Sequence, residues 1–86
     1  MGQERKSVTA AQVRAARSLL GWTVRQLAEA ADVSPNTVTR AEKEGSRPGY
    51  SATTIRRTLE AAGVVFIEEN GGGAGVRLAA PEHRER

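Results

Sequence analysis

Apolar residues recur along the chain at helical spacing in four short runs, most of them opened by a polar capping residue and closed by a turn former. Residues 1–8 are polar, without periodicity, and carry Arg5 and Lys6; they are expected to form a flexible basic arm. Thr9-Ala10-Ala11-Gln12 has the form of a capping box, with Thr9 serving the free amides of the first turn and Gln12 reaching back. Val13, Ala16, Leu19 and Leu20 follow at helical spacing, and Gly21 stops the run. Thr23-Val24-Arg25-Gln26 repeats the capping grammar, and Leu27, Ala28 and Ala31 give a second, two-turn helix its inner stripe. Asp32 is the expected turn residue, since aspartate tolerates a left-handed backbone better than most residues. Ser34-Pro35, a cap followed by proline at the first helical position, opens a third helix from Pro35 to about Glu44 with Val38 and Ala41 inward. Gly45 ends it, and Ser46–Tyr50 is a Gly/Pro linker.

Ser51 is expected to cap a fourth helix through about Ala62, with Ile55, Leu59 and Ala62 on one face and Gly63 after its end. Val64-Val65-Phe66-Ile67 is too short for a buried helix and rich in strand formers. Asn70-Gly71-Gly72-Gly73 supplies turn positions, and Val76-Arg77-Leu78 alternates as a second strand. Helix starts at Thr9, Thr23 and Ser34 leave room only for short helices crossing steeply. The predicted fold is mainly α: four short helices with a helix-turn-helix, plus a small C-terminal β-hairpin. The expected divisions are residues 1–8, arm; 9–63, helical domain; 64–78, hairpin; and 79–86, a disordered tail.

Composition narrows the class of function. An 86-residue chain of 9.2 kDa holds one small domain and no separate cofactor fold. Fourteen alanines against five leucines and two isoleucines point to close-packed helices around a thin core. With no cysteine there is no disulfide, no thiolate chemistry and no zinc finger; His83 alone builds no metal site. No metal or cofactor is expected. The absence of a signal peptide or long apolar span makes the cytoplasm the expected location. The charge is uneven: residues 1–57 carry ten basic side chains against five acidic, and residues 58–86 three against five. A basic N-terminal part suits a polyanion as partner.

Residues 24–43 carry the candidate chemistry. A two-turn helix, a turn near Asp32-Val33 and a capped helix make a helix-turn-helix, whose second helix can enter the major groove of DNA. Ala28 is small where the two helices cross, and Ser34, Pro35, Asn36, Thr39, Arg40 and Lys43 fall on the outward and leading face, as base readers. Asn36 can bind adenine bidentately, and Arg40 and Lys43 can reach guanine or phosphate. Phosphate contacts are expected from Thr23 and Gln26 beside a helix start, from Thr37, from Arg14 and Arg17 on the first helix, and from Arg47 and Tyr50 in the linker. Arg14 and Arg17 also fit a solvated surface, Tyr50 fits a core cap, and Trp22 suits packing better than base stacking.

Residues 12–45 resemble the Xre/Cro/cI-type helix-turn-helix family of bacterial and phage transcriptional regulators. The resemblance lies in Leu27-Ala28-Glu29, the Val33-Ser34 turn exit, and Thr37-Val38-Thr39-Arg40 followed by Glu42 and Gly45. Thr54–Leu78 is similar to the tail of a compact single-domain subgroup. The resemblance implies a lambda-repressor-like fold and dimers on a palindromic operator, often repressing. Two positions depart: Asp32 stands where the family commonly has glycine, and Val24 where it has a phosphate-clamping glutamine.

The competing chemistries are thin. Glycines 71–73 lack the lysine and Ser/Thr of a phosphate loop, and Glu68-Glu69 are strand neighbours on opposite faces. No catalytic arrangement is visible, and no enzyme activity is expected. The expected function is a sequence-specific repressor binding double-stranded DNA; the alternative is an antitoxin or interaction adaptor on the same fold. A homodimer is expected through Val65, Phe66, Ile67, Val76 and Leu78, because consecutive apolar residues leave one hairpin face uncovered. The other arrangement is a hairpin that caps the fourth helix of a monomer.

Overall fold

The computed structural model of the chain describes residues 8–45, 50–69 and 71–79. Four helices come first: α1 (Ala10–Leu20), α2 (Val24–Ala31), α3 (Pro35–Glu44) and α4 (Tyr50–Ala61). An antiparallel hairpin of β1 (Val64–Ile67) and β2 (Gly75–Leu78) closes the fold. Arg5, Lys6, Arg47 and the tail beyond Ala79 lie outside the described residues, as does the side chain of Tyr50. The fourth helix starts one residue before Ser51, which therefore stands in its first turn and not at its cap.

One local grammar starts the first three helices. Thr9, Thr23 and Ser34 are extended N-caps whose side-chain oxygens accept from the amides of Gln12, Gln26 and Thr37. At Thr9 and Thr23 the glutamine three residues on returns the bond, completing two capping boxes. Each start also has an apolar residue before the cap and another four residues into the helix: Val8 and Val13, Trp22 and Leu27, Val33 and Val38. Val8, Val13, Leu27 and Val38 belong to the core, and Trp22 and Val33 pack against it, as in a hydrophobic staple. Val8 therefore does not belong to the arm, where its polar neighbours put it. Its place before the cap buries it, and the ordered domain begins at least one residue earlier than expected.

Two of these helices also end alike. The amides of Gly21 and Trp22 turn back to the carbonyls of Ser18 and Arg17, and those of Asp32 and Val33 to the carbonyls of Glu29 and Ala28. Both are Schellman closures, with the pivot residue left-handed: Gly21 at φ 70° and Asp32 at φ 59°. At the end of α3, Gly45 combines a φ of 83° with close approach to the start of α1. A Cβ there would stand 3.4 Å from the Ala10 nitrogen.

The core gathers Val13, Ala16, Leu27, Ala28, Val38, Ile55, Leu59 and Val64 from all four helices and β1. In the hairpin Val64 pairs with Leu78, Val65 with Arg77, Phe66 with Val76 and Ile67 with Gly75. Cross-strand partners share a face, so Phe66 and Val76 lie together on the side that packs inward. Phe66 is only 8% exposed and lies under Arg56, whose guanidinium carbon is 5.0 Å from the ring centroid. This corrects the expectation that Phe66 and Val76 face a second subunit: they cover their own helices, and Val65 is half-buried. Ile67 and Leu78 remain exposed. The Ala79 amide donates to the Gly63 carbonyl at 2.7 Å, extending the pairing by one residue into what composition assigns to the tail.

Gln12 joins the two halves of the fold. Its Oε1 accepts from the Thr9 amide at 2.9 Å, while Nε2 donates to the carbonyls of Gly75 at 2.9 Å and Ile67 at 3.2 Å. A residue read only as a helix cap also anchors the turn end of the hairpin.

Candidate nucleic-acid interface

The local rules above set the pose of α3. The Asp32–Val33 closure ends α2 sharply, Ser34 caps α3, and Pro35 at its first position supplies a backbone already bent for a helix. Val38 and Ala41 face the core, and Ala28 is buried on α2, which packs against α3. The 3.6-residue period then turns Asn36, Thr39, Arg40 and Lys43 outward, and all four are exposed with Pro35 at the leading edge. Among the described residues no hydrogen bond or ion pair engages the side chains of Asn36, Thr39, Arg40 or Lys43.

Ser34 and Thr37 have a local task. Thr37 donates its amide to Ser34 Oγ at 3.2 Å, and the two hydroxyls stand 3.0 Å apart. Their oxygens thus close the first turn of α3, next to the expected base readers. At the neighbouring start, Gln26 Oε1 accepts from the Thr23 amide at 2.8 Å and Thr23 Oγ1 accepts from the Gln26 amide at 3.0 Å. That box leaves Gln26 Nε2 pointing outward with no partner among the described residues. Arg25 also stands exposed in this first turn, which contains no acidic residue. Sequence spacing did not single it out; a cation at the positive end of a helix dipole is the signal that marks it.

Arg17 is placed differently from its expectation. Its Nε stands 2.6 Å from Glu42 Oε2 and its Nη2 3.1 Å from Oε1, while Nη1 donates to the Trp22 carbonyl at 2.9 Å. Hydrogen bonding to Glu42 raises the guanidinium's affinity for its proton above the ordinary arginine value, against a smaller opposing effect of burial. All three guanidinium nitrogens are committed inside the protein, so Arg17 braces α1 against α3 and is not placed to hold a phosphate. Arg14 Nη1 donates to the Glu42 carbonyl at 2.5 Å, adding a second tie at the same residue, though its side chain is otherwise exposed. Glu42 is consequently buried on the inner side of α3 while its neighbours Arg40 and Lys43 face out.

The pattern for a Helix-turn-helix domain matches residues 9–68, which takes in α1 through β1. The chain belongs to the helix-turn-helix domain family. No curated protein matches it closely enough to count as a relative. The matched span reaches beyond the two central helices, so α1, α4 and the first strand of the hairpin are part of this helix-turn-helix domain. Such a domain is that of a DNA-binding regulator, and in this one α3 exposes Pro35, Asn36, Thr39, Arg40, Lys43 and Glu44. No helix among the described residues is long and apolar enough to cross a membrane.

Proposed function

We propose that this helix-turn-helix protein is a sequence-specific transcriptional regulator of the Xre/Cro/cI type that reads double-stranded DNA with α3. It acts as a repressor, binding a palindromic operator as a dimer in the cytoplasm, with no catalytic step of its own. The observation that carries this reading is the outer face of α3: an amide, a hydroxyl and two cations, exposed together and bonded to none of the described residues. Such groups match the edge of the major groove, where asparagine pairs with adenine and arginine or lysine with guanine. Thr23, Arg25 and Gln26 sit at the start of the adjoining helix, where amides and cations meet a phosphate. The absence of large apolar side chains among the exposed residues of α3 favours DNA over a protein partner on this face.

Selection from random duplexes supplies the operator, and titration of variants against it and against random DNA tests the reading. Asn36→Ala and Arg40→Ala should each cost about 1–3 kcal/mol on the operator if they contact bases. On random duplex the loss for Asn36→Ala should be much smaller. Equal losses on both duplexes would remove these residues from base reading, and failure to enrich any sequence would refute the specific regulator.

A further inference from the structure

We propose that a cleft between the start of α1 and the turn end of the hairpin binds a small aliphatic amine, its alkyl stem on Val8, Phe66 and Ala74 and its ammonium beside Glu68 and Glu69. The proposal goes beyond the DNA reading and does not depend on it, because no residue of α2 or α3 lines the cleft. Val8 and Phe66 are nearly buried and, with Ala74, give the cleft an apolar lining. Thr9 and Gln12 also line it, but their polar groups are engaged with each other. The Gln12 Nε2 is further spent on the carbonyls of Ile67 and Gly75. The part of a ligand that enters the cleft is therefore apolar, since a polar group there gives up water for little in return.

Size limits the occupant. The cleft holds about 120 Å³. An apolar cavity of about 150 Å³ takes benzene, and a site for a drug-sized molecule needs about 300–1,000 Å³. The cleft thus suits a chain of about four carbons and is too small for a nucleotide.

The charges in the lining select a cation. Strand alternation would send Glu68 and Glu69 to opposite faces, but β1 ends at Ile67 and both residues line the cleft. Both are exposed, and among the described residues neither takes part in a hydrogen bond or ion pair. Arg56, also in the lining, is already committed: Nε to Glu60 at 3.0 Å, the guanidinium carbon over the Phe66 ring, and a further interaction. The charge left open is negative. Two carboxylates are too few ligands for a metal ion, and no third His, Cys, Asp or Glu joins them among the described residues. An ammonium on an alkyl stem satisfies both parts of the cleft, as a lysine does when its stem lies on apolar surface and its head stays in water.

The experiment titrates the protein with butylamine, methylamine and 1-butanol at neutral pH and constant ionic strength, following backbone amide shifts by NMR. At that pH an alkyl amine is protonated, as lysine is. Butylamine should shift the amides of Gln12, Phe66, Glu68, Glu69 and Ala74 saturably. Methylamine, without the stem, and 1-butanol, without the charge, should each bind about tenfold more weakly. Glu68→Gln combined with Glu69→Gln should weaken butylamine about tenfold. Ala74→Leu, which fills the cleft from an exposed position, should abolish its binding. Circular dichroism confirms that each variant is folded. Equal binding of 1-butanol, or undiminished butylamine binding by the double glutamine variant, would overturn the site. So would shifts of the same size at Glu29 and Glu44, which mark general ion pairing at exposed carboxylates. Tighter butylamine binding by Lys6→Ala would give the cleft to the chain's own lysine and overturn a free amine as its occupant. Operator binding enters none of these readouts, so the site and the DNA reading fail separately.

Discussion

Arg17 of the first helix and Glu42 of the third form a two-pronged ion pair, at 2.6 Å and 3.1 Å, whose side chains are 22% and 9% exposed. It joins residues 25 apart in sequence and fixes how α3 sits on the domain. Arg17→Ala strands the Glu42 carboxylate near the core and should cost about 2–3 kcal/mol in urea unfolding, below the range for fully buried pairs because Arg17 is partly solvated. Arg17→Lys, which cannot form the fork, should recover only part of the loss. In the cold, where the variant is folded, the salt dependence of operator binding should match wild type, since Arg17 neutralises no phosphate. A shallower salt slope would return Arg17 to the DNA surface.

The parts of the fold legible in the sequence are those decided within five residues. Thr9, Thr23 and Ser34 announce helix starts, Gly21 and Asp32 announce left-handed ends, and α3 has the bounds that Ser34-Pro35 and Gly45 suggest. The outward set on α3 was equally readable, because helical periodicity alone assigns it. What the sequence hid depends on distant partners. Arg17 looks like any surface cation until Glu42 is brought beside it, and Phe66 looks like interface until α4 lies beneath the hairpin. Gln12 reads as a cap because nothing local reveals the two carbonyls that arrive from the hairpin.

That double role of Gln12 separates two capping boxes that look alike in sequence. Gln12→Glu keeps an acceptor for the Thr9 amide but loses both donors and sets a carboxylate against two carbonyls. It should cost about 1–3 kcal/mol, with amide exchange in residues 64–78 accelerating before exchange in α2. At the exposed second box, Gln26→Glu retains the acceptor for the Thr23 amide and adds a favourable charge at the helix start. It should be neutral or stabilising by about 0.3 kcal/mol. Equal losses at both positions would remove the hairpin anchor from the account.

Asp32 occupies the left-handed pivot at φ 59° and ψ 46°. Glycine removes the strain of that conformation, about 1–2 kcal/mol for an ordinary residue and less for aspartate, but makes the unfolded chain more flexible. Asp32→Gly should therefore raise stability by about 0.5 kcal/mol, whereas Asp32→Val should lower it by at least about 1 kcal/mol. Thermal unfolding of the pair checks the sign. A valine variant as stable as wild type would mean that the turn takes another conformation.

Phe66 decides between a hairpin that serves its own domain and one whose aromatic ring serves a partner. The ring is nearly buried, Val64 beside it is buried, and Arg56 lies over its face while also pairing with Glu60 at 3.0 Å. Truncation to alanine removes apolar contacts that the small core cannot replace, and should cost about 3 kcal/mol. Phe66→Leu keeps most of the apolar surface but gives up the attraction between guanidinium and ring, about 0.5–1 kcal/mol at a partly exposed site. The Phe66→Leu protein should sediment like wild type, and both variants should lower the unfolding midpoint independently of protein concentration. An interface ring gives the opposite pattern: its loss would dissociate the subunits, the midpoint would lose the dilution sensitivity of the dimeric wild type, and the penalty would shrink on dilution. Urea melts at two protein concentrations a hundredfold apart separate the two roles, because only the interface role lets dilution change the penalty for removing the ring.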